Sequence, residues 1–397
     1  MGRDEPLGES DQVALRSRVV TGARRVVVKV GTAVLTRDGR LAHARLYAFA
    51  ESVAALRRQG REVLIVSSGA VGLGAERLGL GPGPHPLGVR QACAAVGQGR
   101  LMALWSEALE RLGITAAQLL LTQDDFADRT RYLNLRRTIG RLLAAGAIPV
   151  INENDTVSTA ELRPIPERAE ARINFGDNDK LSALVASKVD ADLLILLTDV
   201  DGLYTADPRT PGAALLDVVP EVTPELEAGA GGPRTGTGGM RTKVLAARIA
   251  ARSGCASVIA NGTHADILDR IVAGEPVGTL VLPNRELSDR RRWIAFATNV
   301  SAAVVVNAGA SRALFAGKAS LLPVGVLEVR GQFSRGDVVS VVDEAGREIA
   351  RGIVNYGSDD ARRVLGLHSD RATDLLGVDD AELMRRDNIA MLEDRAE

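Results

Sequence analysis

The run RVVVKV at residues 25–30 is the clearest indication of the fold, because it is short, almost wholly apolar and rich in β-branched residues. Runs of the same kind recur along the first two-thirds of the chain: REVLIV at 61–66, QLLL at 118–121, AIPVI at 147–151, DLLILL at 192–197 and ASVIA at 256–260. None of them alternates between apolar and polar side chains. Continuous apolar strands are typical of a parallel sheet that is covered by helices on both faces.

Segments with helical spacing separate these strands. In the segment 41–59, Leu46, Phe49, Val53 and Leu56 fall on one face, and the glycine that follows ends the helix. Further helices are predicted at 87–112, 130–145, 178–188 and 240–253. The alternation predicts an α/β fold, specifically an open αβα sandwich with a mostly parallel sheet.

The pattern changes after about residue 284. A charged link, RELSDRRR at 285–292, is followed by short strands at 302–306, 324–329, 337–342 and 348–354 with glycine-containing turns between them. Short strands at regular spacing predict a small β-rich module. We therefore expect five regions: a flexible leader at 1–23, a catalytic domain at 24–284, a linker at 285–298, a β-rich domain at 299–377 and a charged tail at 378–397.

Composition excludes several classes of protein. The 397 residues are 46% hydrophobic, which excludes global disorder, and 49 basic against 50 acidic residues leave no basic excess for nucleic acid. Aromatic residues are 3%, too few for base-stacking platforms. The two cysteines and four histidines show no metal-ligand spacing, so no metal-binding residue is predicted. No apolar run reaches the length of a membrane span and the N-terminus lacks a hydrophobic signal, so we expect a cytoplasmic location without membrane contact.

The common nucleotide and hydrolase signatures are absent. The chain contains no G-x-x-x-x-G-K-[ST], no G-x-G-x-x-G after a strand, no G-x-S-x-G and no H-E-x-x-H. What remains is a set of glycine- and aspartate-rich loops that follow predicted parallel strands. Open α/β sheets bind ligands at that edge.

Two of these loops could meet an anion. In VVKVGTAVLT, residues 27–36, Lys29 lies inside an apolar strand, where burial of a lysine is costly unless it meets a negative charge. An edge strand with Lys29 pointing to solvent is the alternative. In VSSGAVGLG, residues 66–74, small residues would let backbone N–H groups approach an anion at a helix start, although an ordinary tight turn has the same composition.

Two further regions favour an amino acid and a phosphate. INENDTV at 151–157 and FGDNDKLSALVA at 175–186 group carboxylates with amides, and a helix cap needs only one of the polar residues at 177–179. Carboxylates suit an ammonium group, and amides suit a carboxylate. GTGGMRTK at 236–243 places small residues before a helix and Lys243 in its first turn, a composition that can cradle phosphates or form a flexible linker.

These segments, in this order, resemble the amino-acid kinase family. AAVGQGRL at 94–101, LLLTQDDFADRTRYLN at 119–134 and LLTDVDGLYTADPR at 196–209 extend the resemblance, and INEND with GDND is similar to the branch that phosphorylates glutamate. The segments ASLLPVGV at 319–326 and GQFSRGDVVSV at 331–341 resemble a PUA domain. The resemblance implies the amino-acid kinase fold followed by a PUA-like domain.

The resemblance also implies an activity. It is ATP-dependent phosphorylation of the γ-carboxylate of L-glutamate, the first step of proline biosynthesis, with Mg²⁺ and feedback inhibition by proline. Family members are commonly dimers or tetramers, so we expect a homo-oligomer, with contact to the next enzyme of the pathway as a further expectation. The alternatives are an amino-acid kinase with another acceptor and an RNA-binding role for the PUA-like domain, whose basic residues are Arg330, Arg335, Arg351, Arg362 and Arg363.

The family match assigns site residues. Lys29 and Lys243 would be catalytic, with Asp179 holding both. Glutamate would be bound by Ser68, Asp155 and Asn178, with Gly69, Asn154 and Asp177 as secondary candidates. ATP would be bound by Lys29, Thr198, Asp199, Thr237, Gly238, Gly239, Met240, Arg241, Thr242 and Lys243. The segment 160–174 is longer than the family pattern, either as a tolerated insertion or as a change in proline inhibition or subunit contact.

Overall fold

Strand β1 lies inside an eight-stranded sheet of the first of two compact units, Met1–Arg285 and Glu286–Glu397. The computed structural model describes residues 8–37, 40–81, 83, 85–157, 178–230, 239–283, 294, 300, 302–317, 319–377 and 381–392. The strand order of this sheet is β5-β6-β4-β1-β7-β9-β10-β8. All neighbouring pairs are parallel except β9 with β10, which confirms the predicted mostly parallel sheet.

The elements of the first unit follow the predicted alternation. Its strands are β1 Arg25–Val30, β2 Thr36–Arg37, β3 Arg40–Leu41, β4 Glu62–Ser67, β5 Ala116–Leu121, β6 Ile148–Glu153, β7 Leu193–Thr198, β8 Val218–Val219, β9 Ala256–Asn261 and β10 Thr279–Val281. Its helices are α1 Glu9–Thr21, α2 Thr32–Leu35, α3 His43–Arg58, α4 Ala70–Arg77, α5 Leu87–Glu110, α6 Asp124–Ala127, α7 Arg129–Ala144, α8 Asn178–Lys188, α9 Pro224–Gly229, α10 Met240–Arg252 and α11 Ile267–Val272.

The two faces of the sheet are buried against different helices. Val26, Val28 and Val30 of β1 join a core cluster with α3, α5 and α11. Because side chains alternate along a strand, Val27 and Lys29 point to the opposite face, on which α8 and α10 pack. Strands covered on both faces have no exposed side, which is why their sequences show no alternation.

Helices α4 and α5 approach each other unusually closely. A Cβ atom built on Gly74 would lie 1.8 Å from the carbonyl oxygen of Cys93, and one built on Gly97 would lie 1.8 Å from that of Ala70. Only glycine fits at these two crossings. The close packing holds the first turn of α4, and with it the loop that precedes the helix, against the middle of α5.

The N-terminal stretch differs from the expected flexible leader. Helix α1 lies within it, and the side chain of Arg16 is 1% exposed. The Arg16 guanidinium donates to the carboxylate of Asp217 at 2.6 Å and to the backbone oxygens of Asp217, Val277 and Gly278 at 2.7 to 2.9 Å. This docking was not predicted because the buried contacts of α1 come from Arg16 and from Val19 and Val20 at its C-terminal end, too few residues to give a periodic apolar signal.

The second unit is built on a five-stranded sheet of order β12-β11-β13-β14-β15, which confirms the predicted β-rich C-terminal fold. Its strands are β11 Ala303–Val306, β12 Val326–Arg330, β13 Val338–Val342, β14 Glu348–Ile353 and β15 Ile389–Met391, and its helices are α12 Ala308–Phe315, α13 Ser358–Arg363 and α14 Ser369–Leu376. Four of the five basic residues named above for this domain form ion pairs with nearby acidic side chains: Arg330 with Glu328, Arg351 with Glu348, Arg362 with Asp359 and Arg363 with Asp360.

The C-terminal segment also differs from the expected fraying tail. Strand β15 pairs antiparallel with β14, and Leu383 and Met384 are buried in the core of this unit. This strand was not predicted because it is only three residues long and lies among charged residues.

In the described ranges, no helix combines the length and apolar composition needed to cross a bilayer.

Candidate active site

The carboxyl ends of β6, β4, β1 and β7 lie side by side and form one edge of the sheet. The register places Lys29 of β1 level with Val66 of β4 and Leu196 of β7. Ser67 ends β4 and Thr198 ends β7. Helix α8, which begins at Asn178, contacts β1, β4 and β6 on one face of the sheet. This arrangement brings together residues that are far apart in the chain.

At the centre of this edge, Asp179 bridges two lysines. Its Oδ1 lies 2.5 Å from Lys29 Nζ, and its Oδ2 lies 3.1 Å from Lys243 Nζ. Thr242 Oγ1 donates to the same Oδ2 at 2.8 Å. The side chain of Asp179 is fully buried, and those of Lys29 and Lys243 are 6% and 5% exposed. The alternative of a solvent-facing Lys29 on an edge strand is wrong, because β1 is paired on both sides.

The electrostatics of this cluster favour a bound anion. Burial by itself would raise the pKa of Asp179, but the charges of Lys29 and Lys243 outweigh it and hold the pKa of the carboxyl below its ordinary value. One carboxylate between two ammonium groups leaves the cluster with a net charge of about +1. Gly31 adds no bulk beside Lys29, since a Cβ there would lie 3.4 Å from Nζ. The buried surplus of positive charge suits a phosphoryl group.

A second cluster, of hydroxyl and amide groups, lies on the β4 and β6 side of Asp179. Asn178 Nδ2 donates to Ser68 Oγ at 2.8 Å and to Asn152 Oδ1 at 3.0 Å. Gly69, next to Ser68, has φ of +117°, a conformation open to glycine that lets α4 begin directly after β4. The structure therefore places Ser68 and Asn178 together, as the sequence predicts.

The remaining substrate candidates lie just beyond β6. Asn154 and Asp155 follow the end of that strand and are half-buried. The backbone N–H of Asn154 donates to Leu121 O at 2.8 Å, and its side-chain oxygen accepts from Thr156. Asp177 and the segment 160–174 lie outside the described residues.

The nucleotide candidates are divided between β7 and α10. Thr198 is buried at the end of β7, and its hydroxyl donates to Asp199 Oδ1 at 3.2 Å. Gly239 immediately precedes α10, so the free N–H groups of that helix begin beside it. Met240 is half-buried, Arg241 is exposed, and Lys243 turns inward to Asp179. Thr237 and Gly238 lie outside the described residues.

Sequence reasoning missed three residues that support this site. Asn152 stands within the INEND motif but was not singled out, although it contacts Asn178 directly. Gln98 of α5 accepts from Asn152 Nδ2 at 2.8 Å. Trp105, also of α5, donates from Nε1 to Ser67 Oγ at 2.9 Å. The pattern AAVGQGRL contained Gln98, but nothing in one sequence says which side of a helix faces a strand end.

Comparison with known proteins agrees with the division into an α/β unit and a β-rich unit. The model of the amino acid kinase family matches residues 24–261, and that of the PUA domain matches residues 302–376. The chain is 47% identical over 386 residues to glutamate 5-kinase of Ralstonia pickettii, covering 96% of this chain and 100% of the relative.

Two further relatives carry the same name. The chain is 48% identical to glutamate 5-kinase of Ectopseudomonas mendocina, over 94% of this chain and 99% of the relative. It is 45% identical to glutamate 5-kinase of Methanosarcina mazei, over 96% of this chain and 99% of the relative. The chain therefore belongs to the amino acid kinase family, within its glutamate 5-kinase branch, and carries a C-terminal PUA domain.

Proposed function

We propose that this chain is a glutamate 5-kinase, which transfers the γ-phosphoryl group of ATP to the γ-carboxylate of L-glutamate and so carries out the first step of proline biosynthesis. The observation that carries the proposal is the buried carboxylate of Asp179 between the ammonium groups of Lys29 and Lys243. In the reaction, a carboxylate oxygen forms a bond to the γ-phosphorus while the bond from that phosphorus to the β–γ bridging oxygen breaks. The products are L-glutamyl 5-phosphate and ADP.

The reaction requires the protein to supply positive charge and to position the two substrates. The acceptor carboxylate is already ionised near pH 7, so no general base is required. The attacking carboxylate and the polyphosphate repel each other, and the two lysines offset this repulsion. We assign Lys29 to the transferring phosphoryl group and Lys243 to the phosphates of ATP. Asp179 is a positioning residue that keeps both ammonium groups at the reacting centre.

The hydroxyl and amide cluster is assigned to glutamate. Ser68 Oγ accepts a hydrogen bond from Asn178, so the Ser68 proton remains available to donate to a substrate carboxylate. Asp155 is the partner we assign to the substrate ammonium group, since it is a half-buried carboxylate that follows the end of β6, the strand that carries Asn152. Gly69, Asn154 and Asp177 are secondary candidates, as in the sequence assignment.

ATP is assigned to the ends of β7 and α10. Thr198 and Asp199 would hold the nucleoside side, and residues 237–243 the phosphates, with the N-terminus of α10 adding its N–H groups. Mg²⁺ would supply additional charge neutralisation on the phosphates. Within the described residues no group of three or more His, Cys, Asp or Glu side chains could hold a metal, and both oxygens of Asp179 face lysines. We therefore propose that Mg²⁺ is held by ATP and water rather than by a protein cage.

Regulation and assembly complete the proposal. Feedback inhibition by proline, a homo-oligomeric state, contact with the next enzyme of the pathway and a cytoplasmic location are all expectations from the family resemblance. Contact with the next enzyme has a chemical reason, because the acyl phosphate product is reactive and direct transfer would protect it from hydrolysis.

The test is ATP turnover with purified full-length chain, followed as ADP release. Glutamate, aspartate and N-acetylglutamate are compared as acceptors, each with and without proline. We expect turnover with glutamate above either of the others, and inhibition by proline. Turnover with aspartate or N-acetylglutamate instead of glutamate would contradict the proposed acceptor, and turnover that proline does not change would contradict the proposed regulation.

A further inference from the structure

A chain of three side-chain amides connects helix α5 to the proposed glutamate site. Asn152 Nδ2 donates to Gln98 Oε1 at 2.8 Å, and Asn178 Nδ2 donates to Asn152 Oδ1 at 3.0 Å. Asn178 Nδ2 also donates to Ser68 Oγ at 2.8 Å. The four side chains come from α5, β6, α8 and the end of β4. Gln98 is the member farthest from Ser68 along this chain of contacts.

These hydrogen bonds all run in one direction, and Gln98 is the last acceptor. An amide side chain has a donor end and an acceptor end, and it can turn over so that the two exchange places. Because Gln98 presents its oxygen, Asn152 turns its NH₂ group to Gln98 and its oxygen to Asn178. If Asn152 were reversed, its NH₂ group would face the NH₂ group of Asn178, and neither could accept.

The same direction decides what Ser68 can do. With Asn152 accepting one proton of Asn178 Nδ2, the second proton is directed to Ser68 Oγ at 2.8 Å, and Ser67 O is a more distant acceptor at 3.5 Å. Ser68 therefore acts as acceptor toward Asn178 and keeps its own O–H as a donor. A reversed Asn178 would accept that proton instead and leave Ser68 with nothing to donate to a substrate carboxylate.

The position of Gln98 is itself well defined. Its neighbour Gly97 packs against the carbonyl of Ala70, where a Cβ atom would lie 1.8 Å from the oxygen. Asn152 is 3% exposed, so water is largely excluded from replacing Gln98 as its partner. The crossing thus fixes the backbone beside Gln98 relative to α4, and the hydrogen bond from Asn152 holds the Gln98 oxygen.

We propose that Gln98 is a positioning residue for glutamate binding, which acts through Asn152 and Asn178 by setting the orientation of both amides. The proposal rests on the proposed function, because it assumes that Asn178 and Ser68 contact the acceptor. It predicts that Gln98 governs the affinity for glutamate and leaves the affinity for ATP almost unchanged.

The test compares four variants of the full chain. Gln98→Met keeps the size and removes the acceptor, and Gln98→Asn moves the acceptor out of reach while keeping a polar side chain. Each should raise the KM for glutamate about tenfold, with the KM for ATP changed by less than about twofold. Gln98→Glu keeps an acceptor oxygen, so its KM for glutamate should stay within about threefold of the wild-type value. Arg100→Ala, at an exposed position of α5, should change neither constant.

A double mutant distinguishes the amide relay, defined as Gln98, Asn152 and Asn178, from a general effect on the fold. In an Asn178→Ala background the relay has lost its end, so adding Gln98→Met should raise the KM for glutamate by less than about twofold. Direct calorimetric titration with glutamate gives the same comparison where turnover is slow. A tenfold effect on the KM for glutamate that persists in the Asn178→Ala background would overturn the relay. An equal rise in the KM for glutamate and the KM for ATP, in Gln98→Met and Gln98→Asn, would also overturn it. A wild-type protein inactive with glutamate would overturn both proposals, whereas an active wild type with unaffected Gln98 variants would overturn the relay alone.

Discussion

Replacing Asp179 with asparagine removes the one carboxylate between two buried ammonium groups. At 2.5 and 3.1 Å and an effective dielectric constant of about 20, its attractions to Lys29 and Lys243 are about 7 and about 5 kcal/mol before desolvation. Desolvation of the three groups cancels most of this sum. Removing one partner of a buried ion pair costs about 3–5 kcal/mol of unfolding free energy, and asparagine has nearly the same shape, so no cavity adds to it. We expect a fall in melting temperature on the order of 10 °C.

The assay combines thermal unfolding with steady-state turnover. Asp179→Asn should also lower kcat by a factor of at least about 100, since neither lysine is then held at the reacting centre. Asp217→Asn is the matched control, because it makes the same isosteric change in the ion pair with Arg16 on α1. Arg16 keeps three backbone acceptors in that variant, so we expect a loss of about 1 kcal/mol and unchanged kcat.

The pH dependence of stability tests whether the Asp179 bridge contributes to folding. The pKa of Asp179 is lowered in the folded chain, chiefly because the two lysine charges outweigh its desolvation, so the stabilisation is complete above the ordinary aspartate pKa of about 4. It is lost as the pH falls below that value toward the lowered pKa. The stability difference between wild type and Asp179→Asn should therefore be largest near pH 7 and shrink below about pH 4. Equal melting temperatures at pH 7 would show that the bridge contributes nothing.

Three further predictions follow from the same geometry. Lys243→Ala should lower kcat by at least about 100-fold and leave the KM for glutamate within about threefold, so normal turnover in a coupled assay would remove its phosphate role. Asp155→Asn should raise the KM for glutamate about tenfold or more with little effect on the KM for ATP; unchanged glutamate kinetics would remove it from the substrate site. Gly97→Ala should destabilise the chain by about 2 kcal/mol or more in thermal unfolding, because its Cβ would lie 1.8 Å from the Ala70 oxygen. Gly99→Ala, whose Cβ would meet nothing within 4 Å, should instead stabilise the helix by up to about 1 kcal/mol, and similar effects of the two changes would contradict the close helix crossing.

Much of the fold was predictable because its signals are local. A strand buried on both faces must be apolar at every position, and a helix between two strands must show its own spacing, so the alternation along residues 25–260 predicts a parallel sheet. Lys29 could likewise be identified from the sequence as a candidate anion-binding residue, because a lysine inside such an apolar strand needs a counter-charge. The helix α1 and strand β15 were missed because Arg16 docks through hydrogen bonds and β15 is three residues long among charged neighbours.

Local patterns along the chain establish the α/β and β-rich units, the order of the strand-end loops and the residue types available for phosphate and amino-acid binding. Which of those residues meet depends on how the chain folds in three dimensions. Asp179 bridges Lys29 and Lys243 because the parallel register brings β1 beside α8 and the start of α10, at separations of 150 and 64 positions in the chain. The orientation of the amides from Gln98 to Asn178 is likewise a property of directions in space, which no residue spacing records. Charge pairing and hydrogen-bond direction depend on distance and angle between non-local groups, so they exist only once the chain has folded.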